Sequence, residues 1–169
     1  MHSPSEALPA TGRYRLLGHP TDLAGHVGTL GPVPLPTARQ REWREAFMSA
    51  LEVSGLAGRG GASFPAAIKL NVAHAGGAGG VVVVNGMEGE PASDKDKLLL
   101  IRSPHLVLDG AQLLAAASDA HRVIVCVPVG REQVAAAVLT AMAERAHTAN
   151  SPVPEQLLDL DDVHAGVEE

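Results

Sequence analysis

The chain has 169 residues, enough for one domain of ordinary size, and its 46% hydrophobic and 19% charged residues are typical of a globular protein. A formal net charge of -6 argues against a nucleic-acid-binding protein, and the 13 Lys and Arg residues form no basic run. Because only 2% of the residues are aromatic, the core must be built from Ala, Val, Leu and Ile.

The cysteine and histidine content excludes several kinds of site. Cys126 is the only cysteine, so this chain alone can hold neither an internal disulfide nor an iron–sulfur cluster. It stands in an apolar run and is predicted to be a buried thiol. The eight histidines have no metal-ligand spacing. Since there is also no long apolar stretch and no signal peptide, we expect a cytoplasmic protein without a transmembrane segment.

The first third of the chain is predicted to be an arm followed by a helix. Residues 1–36 should form an irregular arm whose only candidate strand is residues 13–17. Its prolines are Pro4, Pro9, Pro20, Pro32, Pro34 and Pro36. A helix should begin at Thr37, which pairs with Gln40 in a capping-box pattern, and end at Gly55.

The next segment, residues 55–65, reads Gly-Leu-Ala-Gly-Arg-Gly-Gly-Ala-Ser-Phe-Pro. Amides in a glycine-rich loop can hold a phosphate where the loop enters a helix, and Pro65 suits the first turn of a helix. A Walker loop is excluded because no Lys directly follows a glycine. A plain dinucleotide fingerprint is disfavoured because the loop follows a helix instead of a strand. The segment is therefore either a phosphate-binding loop or a tight surface loop.

A strand and a polar segment follow this loop. Residues 81–84 are four valines, which predict a parallel strand buried on both faces. The strand ends in Asn85-Gly86-Met87-Glu88-Gly89-Glu90-Pro91, at the edge of the sheet where open α/β folds bind ligands. Ser93, with Asp96 three residues later, is predicted to cap the next helix.

The remaining pattern repeats the alternation of strands and helices. A helix is predicted from Pro104 to about Ser118, a buried strand over residues 123–127, and a helix from Gly130 to about Arg145. The inner face of the first of these helices should carry Leu106, Leu113, Leu114 and Ala117. The order predicts a Rossmann-like, layered α/β domain over residues 37–148, with a mostly parallel, incomplete sheet and helices on its faces. Residues 149–169 are predicted to be a polar tail.

Two of these segments together resemble a known family. Residues 58–65 and 85–91, with Lys95-Asp96 and Pro104-His105-Leu106 beyond them, resemble the F-type, NADH-binding flavoprotein of respiratory complex I, the NADH:quinone oxidoreductase family. The resemblance covers roughly residues 40–145. It implies an FMN-binding domain that oxidises NADH by hydride transfer to the flavin and passes electrons to an iron–sulfur cluster in a later domain.

The resemblance also implies which residues bind the cofactors. The residues expected to bind FMN are Gly58, Gly60, Gly61, Lys69, Asn85 and Glu88. Phe64 and Glu90 are expected at NADH, with Phe64 stacked on the adenine. The residues themselves leave alternatives open, since Phe64 could pack into the core and both glutamates could be surface carboxylates. No catalytic residue and no metal ligand are predicted.

The chain departs from the family pattern at two places. Met87 stands where the family commonly has an aspartate, and a thioether cannot replace an ionised acceptor. Residues 165–169 resemble the family's Ala-Gly-Glu-Glu segment with one residue interposed. We therefore expect the rest of the flavin site and the cluster cysteines to lie in a further C-terminal segment or a partner.

Two functions follow from the resemblance. The first is the FMN- and NADH-binding part of an NADH dehydrogenase, weak or inactive alone, which passes electrons to an iron–sulfur or ferredoxin-like protein and lies in the cytoplasm, peripheral to a membrane complex. The second is a non-catalytic lobe that keeps the fold and a partner surface but binds no flavin.

Overall fold

The computed structural model describes residues 16–18, 20–37, 40–58, 63–77, 79–89, 93–146 and 148–160. These ranges contain six helices and three strands in the order α1 (Leu23–Leu30), α2 (Gln40–Ser54), α3 (Ala66–Ala75), β1 (Val81–Asn85), α4 (Lys95–Arg102), α5 (Pro104–Ser118), β2 (Arg122–Pro128), α6 (Glu132–Arg145) and β3 (Glu155–Leu160). The predicted α/β class is confirmed.

The three strands form one parallel sheet in the order β1, β2, β3. In the register, Val83 of β1 lies beside Ile124 of β2, which lies beside Gln156 of β3. The sheet confirms the predicted parallel pairing. However, β3 lies in the segment predicted to be a polar tail, because two prolines precede it and its sequence alternates only weakly between polar and apolar residues.

The core lies between one face of the sheet and the helices. Val123, Val125 and Val127 of β2 are fully buried on that face, where α5 and α6 pack. On the other face, Val81 and Val83 of β1 are 43% and 58% exposed. The expectation that the valine strand is buried on both faces is wrong, because the described helices that contact the sheet cover only one side.

Helix α5 has the predicted bounds and part of the predicted inner face. Of the four residues predicted there, Ala117 is fully buried, Leu106 and Leu113 are half-buried and Leu114 is exposed. The buried face also carries Leu108, Ala111 and Ala115. Small residues supply most of this face, because alanine lets the helix backbone approach the strands closely.

The arm is not irregular throughout, since residues 23–30 form α1, capped by Asp22. His26 of α1 is buried, and its Nε2 atom lies 2.8 Å from Asp109 Oδ2 of α5. The fully buried Arg145 of α6 places Nη1 2.8 Å from Asp109 Oδ1. Three helices are thus joined by one buried polar cluster. The helix escaped prediction because Gly25 and Gly28 lower its intrinsic propensity.

Helix α2 leads the chain to the glycine-rich loop. It ends before Gly55, whose φ of +62° is the left-handed conformation predicted for that position. Residues 38 and 39 lie outside the described part of the chain, so the predicted capping box at Thr37 stays a prediction. Trp43 stacks on Phe47 with ring centroids 5.1 Å apart. Trp43 and Phe47 therefore pack on each other, and no residue of α2 is fully buried.

Candidate functional site

The topology brings the glycine loop toward the carboxyl end of the sheet. His74, near the end of α3, places Nδ1 3.4 Å from Asp119 Oδ2 at the end of α5. His121 donates its backbone amide to Gly80, which precedes β1. The C-terminus of α3 therefore lies at the amino end of the sheet. Helix α3 packs on α5, and Pro65 at its other end lies about 15 Å away. We infer that the glycine loop lies toward the carboxyl end of the sheet.

Backbone hydrogen bonds close the base of the glycine loop. Ala57 and Pro65 form an antiparallel bridge, and the Gly58 amide donates to the Phe64 carbonyl at 3.0 Å. Because the Gly58 amide already donates to Phe64, it is not available to a ligand. The contribution of Gly58 is the space left by its missing side chain. The base is a short hairpin held at a fixed position against α3.

The tip of the loop contains two of the predicted ligands. Gly60 and Gly61 lie outside the described residues, so their contact with FMN stays a prediction. Ser63, where the described chain resumes, has a φ of +43°, a left-handed conformation that is uncommon for a residue other than glycine. Such conformations persist where the surrounding structure holds them, often at ligand sites.

Lys69 supplies a positive charge beside this loop. Its Nζ atom lies 3.4 Å from the position that a Cβ on Gly58 would occupy and 5.8 Å from the centroid of the Phe64 ring. Lys69 has no carboxylate partner among the residues that the structure describes, and the first turn of α3 carries no acidic residue. An ammonium group and the N-terminus of a helix therefore act together, which favours an anion.

Asn85 is the last residue of β1, and the oxygen of its side-chain amide is already hydrogen-bonded. Its Oδ1 atom accepts a hydrogen bond from the Met87 amide at 3.1 Å, and no residue that the structure describes accepts from its side-chain NH2 group, which can donate to a ligand. The side chain is exposed at the carboxyl end of the sheet. This position agrees with the predicted role at a flavin ring edge, which stays a prediction.

Gly86 is a residue of this site that the sequence analysis did not single out. A Cβ there would stand 2.7 Å from Leu100 Cδ1 and 2.9 Å from the Cys126 carbonyl oxygen, so only glycine fits without a rearrangement. Its amide donates to that carbonyl at 2.8 Å and extends the pairing of β1 with β2. The Asn-Gly pair directly after a strand was the available signal.

Glu88 lies next to α4. Its Oε2 atom accepts from the Asp96 amide at 2.7 Å, and its Oε1 atom accepts from Lys95 Nζ at 3.1 Å. Partial burial acts to raise the pKa of Glu88, but the hydrogen bond from Asp96 and the Lys95 ammonium outweigh it, so the pKa lies below its ordinary value. Glu90 lies outside the described residues, and its predicted contact with NADH stays a prediction.

The N-terminus of α4 differs from the predicted capping box. The helix begins at Lys95, and its N-cap residue Asp94 makes no side-chain capping bond. Ser93 Oγ accepts from the Lys95 amide at 3.3 Å, whereas the predicted capping box would use the amide of Asp96. The carboxylate of Glu88 reaches the second helical amide instead, because the loop after β1 folds back onto the helix.

The two remaining predicted features concern apolar residues. Phe64 is 43% exposed, so packing into the core does not account for it. Cys126 is free and buried, which confirms the predicted core thiol. Within the described ranges, no cluster of His, Cys, Asp and Glu is suited to a metal ion. No helix in those ranges is long and apolar enough to cross a bilayer.

Comparisons with known proteins agree on one kind of domain. A family model described as the Nuo51 FMN-binding domain matches residues 51–164. An F-type component of the NADH-quinone oxidoreductase of Rhizobium meliloti (strain 1021) is 34% identical over 83 residues, which are 48% of this chain and 18% of the relative. The corresponding F-type component from Mycobacterium tuberculosis (strain ATCC 25618 / H37Rv) is 36% identical over 85 residues, 47% of this chain and 19% of the relative.

A solved structure shows the same likeness in three dimensions. The crystal structure of an NAD+-reducing [NiFe]-hydrogenase in the H2-reduced state has a TM-score of 0.54 and 31% sequence identity to this chain. The likeness covers 68% of this chain and 21% of that chain. The present chain thus spans about a fifth of the length of the proteins that it matches.

Proposed function

Because the chain belongs to the family of the Nuo51 FMN-binding domain, whose model matches residues 51–164, we propose that it is the FMN-binding part of an NADH-oxidising flavoprotein. The observation that carries the proposal is Lys69, which has no carboxylate partner within the described ranges and lies beside the glycine loop at the N-terminus of α3. A cation and helix amides at this position fit a phosphate group.

The residues present fit FMN at several points. Lys69 and the glycine loop would hold the phosphate, and the NH2 group of Asn85 would donate to an acceptor on the flavin. No atom of another described segment lies within 4 Å of a Cβ built on Gly89, which leaves room for a ligand beside the backbone after β1. Met87 offers no ionised acceptor, so the flavin must be bound without one at that position.

When bound, FMN supplies the acceptor for a hydride from NADH, which leaves as NAD+. The residues of this chain bind and orient the two molecules. The exposed ring of Phe64 is available to stack on the adenine, and the resemblance assigns Glu90 to the same ligand. No residue of the chain is required to move a proton in this step.

The reduced flavin must pass its electrons to an acceptor. The relatives are named as components of NADH-quinone oxidoreductases, so we extend the proposal to an iron–sulfur protein or a further polypeptide segment as the electron acceptor. A cluster needs several thiolates, and the 169 residues contain one cysteine. A cytoplasmic location, peripheral to a membrane complex, is part of the same proposal.

The test is reduction of the flavin by NADH in the absence of oxygen. The chain is loaded with FMN, freed of excess flavin by gel filtration and mixed with NADH. We expect the visible absorption of the flavin to bleach, and to return slowly with a small artificial acceptor. A chain that binds no FMN contradicts the proposal. A chain that binds FMN but does not react with NADH supports the non-catalytic lobe instead.

A further inference from the structure

The carboxylate of Glu88 contacts the N-terminus of α4. It accepts from the Asp96 amide at 2.7 Å and from Lys95 Nζ at 3.1 Å, and its side chain is only 10% exposed. The N-cap residue of α4, Asp94, makes no capping bond of its own. A residue from the loop after β1 therefore satisfies an amide at the start of α4 that would otherwise lack a protein acceptor.

The backbone of Glu88 indicates that this contact matters. Its φ of +47° lies in the left-handed region, where a glutamate is uncommon and the conformation is unfavourable. Such a residue persists only where its surroundings hold it. The contact with α4 holds Glu88, and the close packing of Gly86 under Leu100 holds the same loop two residues earlier.

We propose that Glu88 is a positioning residue, which fixes the loop after β1 against α4 so that the Asn85 amide is presented to the flavin. This inference rests on the proposed FMN site. It differs from the role implied by the family resemblance, in which the carboxylate itself contacts the ligand. Both oxygens already accept from α4, so the helix sets the position of the carboxylate.

The two roles predict different results for the same variant. A positioning residue acts through the start of α4 and through Asn85, so its loss weakens FMN binding and changes the flavin spectrum only as the loss of the Asn85 side chain does. A carboxylate in contact with the flavin ring would change the absorption spectrum and the reduction potential of the bound flavin.

The experiment compares Glu88→Ala with Asp94→Ala as a matched control. Asp94 is another carboxylate at the start of α4, but it is 64% exposed and makes no capping bond. We measure the FMN dissociation constant, the spectrum of bound FMN and the hydrogen exchange of the Asp96 amide. Alanine is used because a glutamine would keep an oxygen that can accept from Asp96. Glu88→Ala should weaken FMN binding and speed Asp96 exchange by about tenfold each, and the spectrum of bound FMN should match that of Asn85→Ala. Asp94→Ala should change both by less than about twofold.

Several outcomes would overturn the inference. These are an unchanged FMN affinity in Glu88→Ala, an unchanged Asp96 exchange rate, or a spectrum of the bound flavin that Asn85→Ala does not reproduce. If the wild-type chain binds no FMN, the proposed function fails. The Asp96 exchange rate still decides whether Glu88 caps α4 in that case, so the two failures are distinguishable.

A second measurement covers the case in which Glu88→Ala does not fold. The carbon-13 resonance of the Glu88 carboxyl is titrated in the wild-type chain with and without FMN. The pKa should lie below its ordinary value in both titrations, because α4 and not the ligand sets it. A pKa that moves when FMN is added would place the carboxylate at the ligand and contradict the positioning role.

Discussion

The two ends of the parallel sheet differ in how their polar groups are used. At the amino end, Asp119 pairs with Arg44 of α2 and with His74 of α3. Arg44 also donates to the Ala117 carbonyl at 2.8 Å, and Gln40 donates to the Ala116 carbonyl at 2.7 Å. These groups satisfy one another and join α2, α3 and α5.

The carboxyl end leaves comparable groups available. Lys69 has no carboxylate partner among the described residues, and none of them accepts from the NH2 group of Asn85. Left-handed backbones do not separate the two ends, since Ser63 and Glu88 here have φ of +43° and +47° and Asp119 at the amino end has +55°. The comparison indicates that the amino end stabilises the fold, whereas the carboxyl end carries groups whose partner is a ligand.

The largest effect on stability is expected from Asp119→Ala at the amino end. Loss of the ion pairs, together with an alanine forced into the left-handed φ of +55°, should reduce the free energy of unfolding by about 2 to 3 kcal/mol. Urea unfolding measures the loss. Asp119→Asn is the control, since asparagine tolerates this conformation and should lose about half as much. If the folded variant also bound FMN more weakly, the separation of a stabilising amino end from a ligand-binding carboxyl end would be wrong.

The reverse result is expected for Lys69→Met at the carboxyl end. Loss of a charge-assisted contact with the phosphate should weaken FMN binding by about 1.5 to 2 kcal/mol, with stability unchanged within about 0.5 kcal/mol. Fluorescence quenching of FMN measures the affinity. Lys97→Met serves as the control, because Lys97 already lies 3.6 Å from Asp94 and is not part of the site. Equal losses of affinity in the two variants would show that net charge alone is responsible.

The cluster of His26, Asp109 and Arg145 that anchors α1 is flanked by the buried His105, whose ring centroid lies 5.5 Å from that of His26. This part of the molecule sharpens the comparison because it involves neither Lys69 nor Asp119. Burial lowers the pKa of His105 below 6.5, against the opposing effect of Glu144. As the pH falls, His105 therefore binds a proton in the unfolded chain at a higher pH than in the folded chain. The free energy of unfolding should decrease as the pH drops below about 6.5, by at most about 1.4 kcal/mol per pH unit. His105→Gln should flatten this slope in urea unfolding at several pH values. An unchanged slope would assign the effect to other groups.

The smallest effect is expected from Phe64→Leu. Because the ring is exposed, stability should change by less than about 0.5 kcal/mol and FMN affinity should not change. The NADH concentration needed for half-maximal flavin reduction should rise about threefold, since stacking contributes modestly. A loss of stability well above about 1 kcal/mol, as is typical when a core aromatic residue is truncated, would instead favour the packing role.

Local signals explain which elements the sequence could predict. The two valine-rich strands are β-branched runs, and Pro104 marks the first turn of α5. Long-range contacts explain the failures. Helix α1 depends on the burial of His26 against α5, and β3 depends on pairing with β2. The open face of β1 could not be foreseen, because the valine run is the same whether helices cover one side or both.

The candidate site shows the same division. The glycine loop and the Asn-Gly pair are visible as motifs, and the resemblance supplied their ligand. The cap that Glu88 provides to α4 could not be read from the sequence, because it joins residues eight positions apart through a loop with a left-handed backbone. The requirement for glycine at position 86 likewise depends on where Leu100 and the Cys126 carbonyl lie.

The central claim is that the carboxyl end of the sheet holds a flavin by its phosphate, and a comparison of FMN with riboflavin tests it most directly. The two ligands share the ring and differ in the phosphate. The wild-type chain should bind FMN at least about tenfold more tightly than riboflavin, and Lys69→Met should remove most of that preference. Equal affinity of the wild-type chain for both ligands, or a preference unchanged in Lys69→Met, would contradict the account.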